Sequence, residues 1–243
     1  MTARLRDRAA LALQPGPRQA RGPKLGLWLG ELLAIPGRAA DWWLPAPVNA
    51  ARAPRPVLLL PGFLAHPGSM APMAAALSRA GHRVRDWGLG VNMGATRDRL
   101  DQLARRVEAL GRRHRAKVVL VGWSLGGIYA REVARLVPEH VLGVVTMGSP
   151  FSGDRRANNM WRLYQFVTGH DVDEPPVPGD LARKPPVPTV ALWSPRDGII
   201  DPRSARGRTG ERDIAVGLRC THLGFASDRT AIAEVLRQIE AME

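Results

Sequence analysis

From residue 56 onward, short apolar runs alternate with stretches whose apolar residues recur at helical spacing. The runs are "PVLLLPG" (56–62), "HRVRDWGLG" (82–90), "KVVLVGW" (117–123), "VLGVVTMGSP" (141–150), "TVALWSP" (189–195) and "ERDIAVGL" (211–218). Several are apolar at consecutive positions rather than at every second one. That predicts strands covered on both faces, hence a mostly parallel sheet. Between them, helices are predicted near 70–80, 96–114, 125–137 and 228–241; in the second, Leu100, Leu103, Val107 and Leu110 lie on one face. The fold class expected is therefore α/β, with helices on both faces of the sheet.

Two regions break the rhythm. Residues 151–188 hold one helical stretch, "NNMWRLYQFVTG", followed by a proline-rich loop, and read as an insertion. At the other end, residues 1–24 are punctuated by "QPGPRQARGPK" and predict a mobile basic arm. Residues 25–49, with Trp28, Trp42 and Trp43, predict a short helix packed on the domain, or alternatively a contact with a lipid headgroup layer. The division expected is residues 1–55 as arm and apolar segment, and 56–243 as the α/β domain with an insertion at 151–188.

Composition changes this picture little. A hydrophobic content of 45% with 23% charged residues suits a globular chain with a full core. The net charge of +13 raises nucleic acid as a partner, but 32 of the 35 basic residues are arginine and no nucleic-acid motif accompanies them. Nucleic acid is therefore not expected, whereas peripheral contact with an anionic membrane remains open. The start of the chain lacks the apolar core of a secretory signal, and there is one cysteine, Cys220. A cytoplasmic location is expected from both.

The chemistry concentrates at "VVLVGWSLGGIYAREVARLVP" (118–138), where a serine stands alone between a strand and a helix. Gly122-Trp123-Ser124-Leu125-Gly126 matches G-x-S-x-G, the sharp turn that lifts a nucleophile above a sheet. A serine hydroxyl needs a base to take its proton, and the base needs a carboxylate to hold its tautomer. After such a turn the acid comes next in the chain and the histidine last. His222, in the loop "LRCTHLGF", is the leading base and His170 the second candidate. Asp197, directly after a strand, is the leading acid and Asp201 the second. "HDVDE" (170–174) lacks a further ligand at an interpretable spacing, so no metal site is expected. Backbone N–H groups of Phe63 or Leu64, after Pro61-Gly62, are expected to face the same space as the Leu125 N–H and to form an oxyanion hole. Leu64, Trp123 and Trp161 are candidate substrate contacts.

With these residues in hand, the chain resembles the α/β-hydrolases, and more narrowly bacterial triacylglycerol-lipase-like and esterase-like members. Pro61-Gly62-Phe63, "GWSLGG", "MGSPFSG" (147–153), "WSPRDGIID" (193–201) and His222 carry the resemblance over about residues 56–240. It implies Ser124 as nucleophile, Asp197 as acid, His222 as base, a two-step acyl-enzyme reaction and no cofactor. It also implies that 151–188 cap an acyl pocket, so a small-molecule or lipid ester is the expected substrate. The cap residues Met160, Trp161, Leu163, Tyr164 and Phe166 are expected at that pocket. An acyltransferase, a thioesterase or a silent binding protein would share the same residues. The chain departs from the family in two places: Pro61 stands where many lipases have histidine, and the first fifty residues lack a strand pattern, so a reduced sheet is expected.

Overall fold

The computed structural model describes residues 2–16, 22–33, 46–176 and 179–242. Its centre is a sheet of six strands: β1 (Pro56–Leu60), β2 (Arg83–Asp86), β3 (Val118–Trp123), β4 (Val141–Met147), β5 (Thr189–Trp193) and β6 (Ile214–Gly217). Their order is β2-β1-β3-β4-β5-β6, and every pairing is parallel. Each strand candidate in the sequence contains one of them, and the described residues before β1 add no further strand, in line with the expected reduced sheet.

The helices are α1 (Thr2–Ala12), α2 (Leu25–Leu33), α3 (Ala71–Arg79), α4 (Arg97–His114), α5 (Leu125–Leu136), α6 (Trp161–Thr168), α7 (Pro202–Arg206) and α8 (Arg229–Glu240). The alternation of side chains along β1 shows why both sheet faces need cover. Val57 and Leu59 pack with Met73, Ala76 and Leu77 of α3 and with Ile232, Val235 and Ile239 of α8. Leu58 and Leu60 pack on the opposite face with Leu103 and Val107 of α4 and Ala130 and Val133 of α5. Burying each such side chain contributes about 1.5–3 kcal/mol, so strands without a polar face are stable only as the middle of three layers.

The N-terminal region departs from expectation. Instead of a mobile arm, residues 2–12 form α1, which lies on the cap helix α6. Arg8 Nη1 donates to Val167 O at 3.2 Å, Gln165 Nε2 to Leu11 O at 2.5 Å, and Arg162 Nη1 to Ala12 O at 2.6 Å. Most of these bonds join cap side chains to carbonyls at the end of α1, whose last C=O groups lack helical partners. No local sequence pattern announces such pairings. Residues 25–33 do form the expected helix, α2, and Trp28 is 37% exposed on it. Trp42 and Trp43 lie outside the described residues. Among the described residues, no helix is long and apolar enough to cross a membrane.

The connectivity also places the site. From β1 the chain moves outward to β2 and then back past β1 to β3. A parallel sheet binds ligands at the carboxyl ends of strands beside such a reversal. The loop after β1 and the turn after β3 therefore meet there, carrying Phe63 and Ser124.

Candidate active site

Ser124 occupies the turn between β3 and α5 with φ 54° and ψ −122°, a conformation that costs a non-glycine residue roughly 1–3 kcal/mol. The surrounding packing enforces it. A Cβ on Gly122 would lie 2.4 Å from Gly126 O, and one on Gly126 would lie 2.1 Å from Leu60 O. Both glycines are needed for close approach, as the motif predicts. Ser124 N donates to Met147 O at 2.8 Å, which anchors the turn to β4.

Asp197 and His222 come together from separate loops. Asp197 Oδ2 lies 2.8 Å from His222 Nδ1, and both residues are buried. Asp197 Oδ1 accepts from Ile199 N (2.9 Å) and Ile200 N (2.7 Å), so its carboxylate is held from both ends. Gly148, which follows β4 with φ 54°, leaves room for this pair: a Cβ there would lie 3.0 Å from both Asp197 Oδ2 and His222 Nδ1. Asp201, the second candidate acid, caps α7 instead and accepts from Arg203 N at 2.7 Å. His170 is in the cap, where its N–H donates to Thr168 Oγ1, away from the cavity wall.

Ser124 and His222 line one cavity of about 200 Å³, with Gly62, Phe63 and Leu125 beside them. The rest of the wall is largely apolar and includes Ile128, Met160, Trp161, Tyr164 and Leu223. The described hydrogen bonds join His222 to Asp197 but not to Ser124, a contact that commonly tightens only when substrate binds. The Leu125 N–H opens α5, where the first amides have no intrahelical acceptor. Of the two N–H groups expected from the β1 loop, that of Leu64 is engaged with Asn92 O at 2.8 Å. Among the described hydrogen bonds none engages the Phe63 N–H, and Phe63 lines the cavity.

Several expected contacts require correction. Leu64, with φ 59°, is 39% exposed and does not line the cavity. Trp123 is also absent from the wall. Its ring is buried in the core, and its Nε1 donates to His222 O at 3.0 Å, so it supports the histidine loop. In the cap, Met160, Trp161 and Tyr164 line the cavity, whereas Leu163 and Phe166 are each 40% exposed on the outward side of α6. The "HDVDE" acids Asp171 and Asp173 pair with Arg156 at 3.3 and 2.9 Å, which accounts for them without a metal.

The sequence reading missed Asn92 and Glu31. Asn92 is buried in the loop after β2; its Nδ2 donates to Pro61 O at 2.8 Å and its backbone N to Ala65 O at 3.1 Å. It therefore clamps the loop bearing Phe63. Glu31, on α2, accepts backbone N–H groups of Gly198, His222 and Leu223. An isolated Asn or Glu in an irregular or apolar stretch carries no sequence signal for either task. Among neighbouring groups, burial pushes the Tyr164 phenol and the Cys220 thiol above their ordinary ranges, so both are neutral at pH 7.

Residues 55–175 match the model of the alpha/beta hydrolase fold family. With the six-stranded sheet and the strand–turn–helix at Ser124, that places the chain in the α/β-hydrolase superfamily. A curated relative, thioesterase frbD of Dothideomycetidae sp. (strain 11243), is 41% identical over 71 residues, 28% of this chain and 23% of that protein. Among solved structures, polyneuridine aldehyde esterase aligns with a TM-score of 0.55 at 15% identity, covering 77% of this chain and 99% of that one. Aspergillus fumigatus lipase B aligns with a TM-score of 0.53 at 16% identity, covering 79% of this chain and 55% of that one. At such identities the likeness is one of fold.

Proposed function

We propose that the protein is a serine-dependent carboxylic ester hydrolase acting through an acyl-enzyme. The observation that carries this reading is that Ser124 and His222 line one largely apolar cavity, with Asp197 Oδ2 2.8 Å from His222 Nδ1. In this mechanism His222 Nε2 takes the Ser124 hydroxyl proton as Oγ attacks the ester carbonyl carbon. The N–H groups of Phe63 and Leu125 stabilise the resulting oxyanion; one such donor is typically worth about 10²–10³ in rate. The tetrahedral species collapses, and His222 returns its proton to the departing alkoxide. Water, deprotonated by His222, then attacks the acyl-Ser124 carbonyl and releases the acid. Asp197 stays ionised throughout, holding the Nδ1–H tautomer and balancing the imidazolium.

The apolar wall supports an apolar acyl chain as substrate, since burying it removes hydrocarbon from water. A thioester is the second reading. The 41% identity over 71 residues with a thioesterase favours it, and the same groups would serve with a thiolate leaving group. Hydrolysis of p-nitrophenyl esters from acetyl to palmitoyl, and of the corresponding acyl-CoA thioesters, tests both readings against Ser124→Ala. Ester turnover should fall by about 10⁴-fold or more in the variant. Turnover of thioesters alone would favour the second reading. No turnover of either, with no fluorophosphonate labelling of the wild type, would reject the enzyme.

A further inference from the structure

The helix α2 is inverted relative to a surface helix. Its sequence, LGLWLGELL, has one charged residue, and that residue points inward: Glu31 is 2% exposed, whereas Leu25, Leu29 and Leu33 are more than half exposed. A carboxylate is buried in this way only when its charge is answered by strong hydrogen bonds or a counter-ion. Here backbone N–H groups answer it. Glu31 Oε1 accepts from His222 N at 2.6 Å and from Gly198 N at 2.9 Å, while Oε2 accepts from Leu223 N at 2.9 Å. This acceptor-only pattern matches an ionised carboxylate.

The three donors are the reason the contact matters. His222 is the proposed base, and Gly198 directly follows the proposed acid. One carboxylate, contributed from 167 and 191 positions upstream, thus ties together the two loops that set the Asp197–His222 pair. The approach is close along the whole contact: a Cβ on Gly198 would lie 2.3 Å from Leu27 O, so no larger residue fits between α2 and the acid loop. Asn159 adds a brace from the cap, its Nδ2 reaching both Pro23 O (3.1 Å) and Gly198 O (2.8 Å). Within the domain, the corresponding tie is Ser194 Oγ donating to Cys220 O at 2.5 Å.

We infer that Glu31 is a positioning residue for the Asp197–His222 pair, which makes the N-terminal segment part of the active site. The inference rests on the serine-hydrolase reading for what the pair does, but not for its geometry. Backbone at 222 carries the base and backbone at 198 directly follows the acid, and an error of about 1 Å in such a group can cost roughly 10²-fold in rate.

The test compares wild type, Glu31→Ala and Glu31→Gln in kcat and KM for p-nitrophenyl butyrate, thermal unfolding, and the low-field proton NMR signal of the His222 Nδ1–H. Glu31→Ala should lower kcat by about 10- to 100-fold with KM changed by less than about threefold, and should shift or broaden the imidazole signal in a folded protein. Glu31→Gln should fall between, because its amide oxygen still accepts from His222 and Gly198 while its NH₂ opposes the Leu223 N–H. Folded variants with wild-type kcat and an unmoved signal would overturn the inference. So would failure of both variants to fold, which would assign Glu31 to stability instead. If the wild type neither turns over ester nor takes up fluorophosphonate, the hydrolase reading fails, and the NMR signal still decides the role of Glu31.

Discussion

The serine side and the histidine side of the cavity are built on opposite principles. Ser124 is held by its immediate neighbours: a strand, two glycines with no room for a Cβ, and the first turn of α5. His222 is held by distant residues, namely Asp197, Trp123 and Glu31, which approach from 25, 99 and 191 positions away. A nucleophile in a tight turn needs strain, which a local sequence can impose. A base has to be aimed at something else, and aiming a loop requires anchors outside it.

The largest effect that would sharpen this comparison lies in Asp197→Asn. Its oxygen can still accept from Ile199 and Ile200, which leaves the NH₂ facing His222 Nδ1 and forces the proton onto Nε2. Turnover of p-nitrophenyl ester should fall by about 10⁴-fold with little loss of stability. Asp201→Asn should keep turnover within a few-fold, because Asp201 only caps α7 and asparagine also caps well. A reversal of that ranking in kcat would exchange their roles.

Breaking the serine side calls for Gly126→Ala. With Leu60 O where the methyl group must go, β1 and α5 have to separate, at a cost of about 1–3 kcal/mol or more. Denaturant unfolding should show that loss together with loss of fluorophosphonate labelling; a stable, fully labelled variant would mean the turn tolerates a side chain after all. The smallest effect is expected at Trp123→Phe, which removes the indole N–H from His222 O but keeps the ring in the core. About 1 kcal/mol of stability should be lost, with kcat more affected than KM, because the histidine loop loses one of several anchors.

Legibility in the sequence follows the same division. The six strands and the helices α3, α4, α5 and α8 were each visible as periodicity, and the insertion as a break in it, because burial on one or two faces writes itself into consecutive residues. Even so, Leu163 and Phe166 were placed at the pocket when they face outward, since an apolar residue in a short helix does not say which neighbour it packs against. Trp123, a candidate substrate contact, turns its ring into the core instead. Asn92 and Glu31 were silent, being single polar residues whose partners are backbone groups far along the chain.

By itself, the sequence determined the layers of this protein, the α/β class and the strained serine turn, all of which depend on residues within a turn or two of each other. The tertiary structure alone decided that Asp197 rather than Asp201 meets His222, and that the Leu64 N–H is engaged with Asn92. It also decided that α1 lies on α6 and that Glu31 reaches the loops of both Asp197 and His222. Those outcomes depend on which groups end up facing one another after the layers pack, and every residue except proline carries the same backbone N–H.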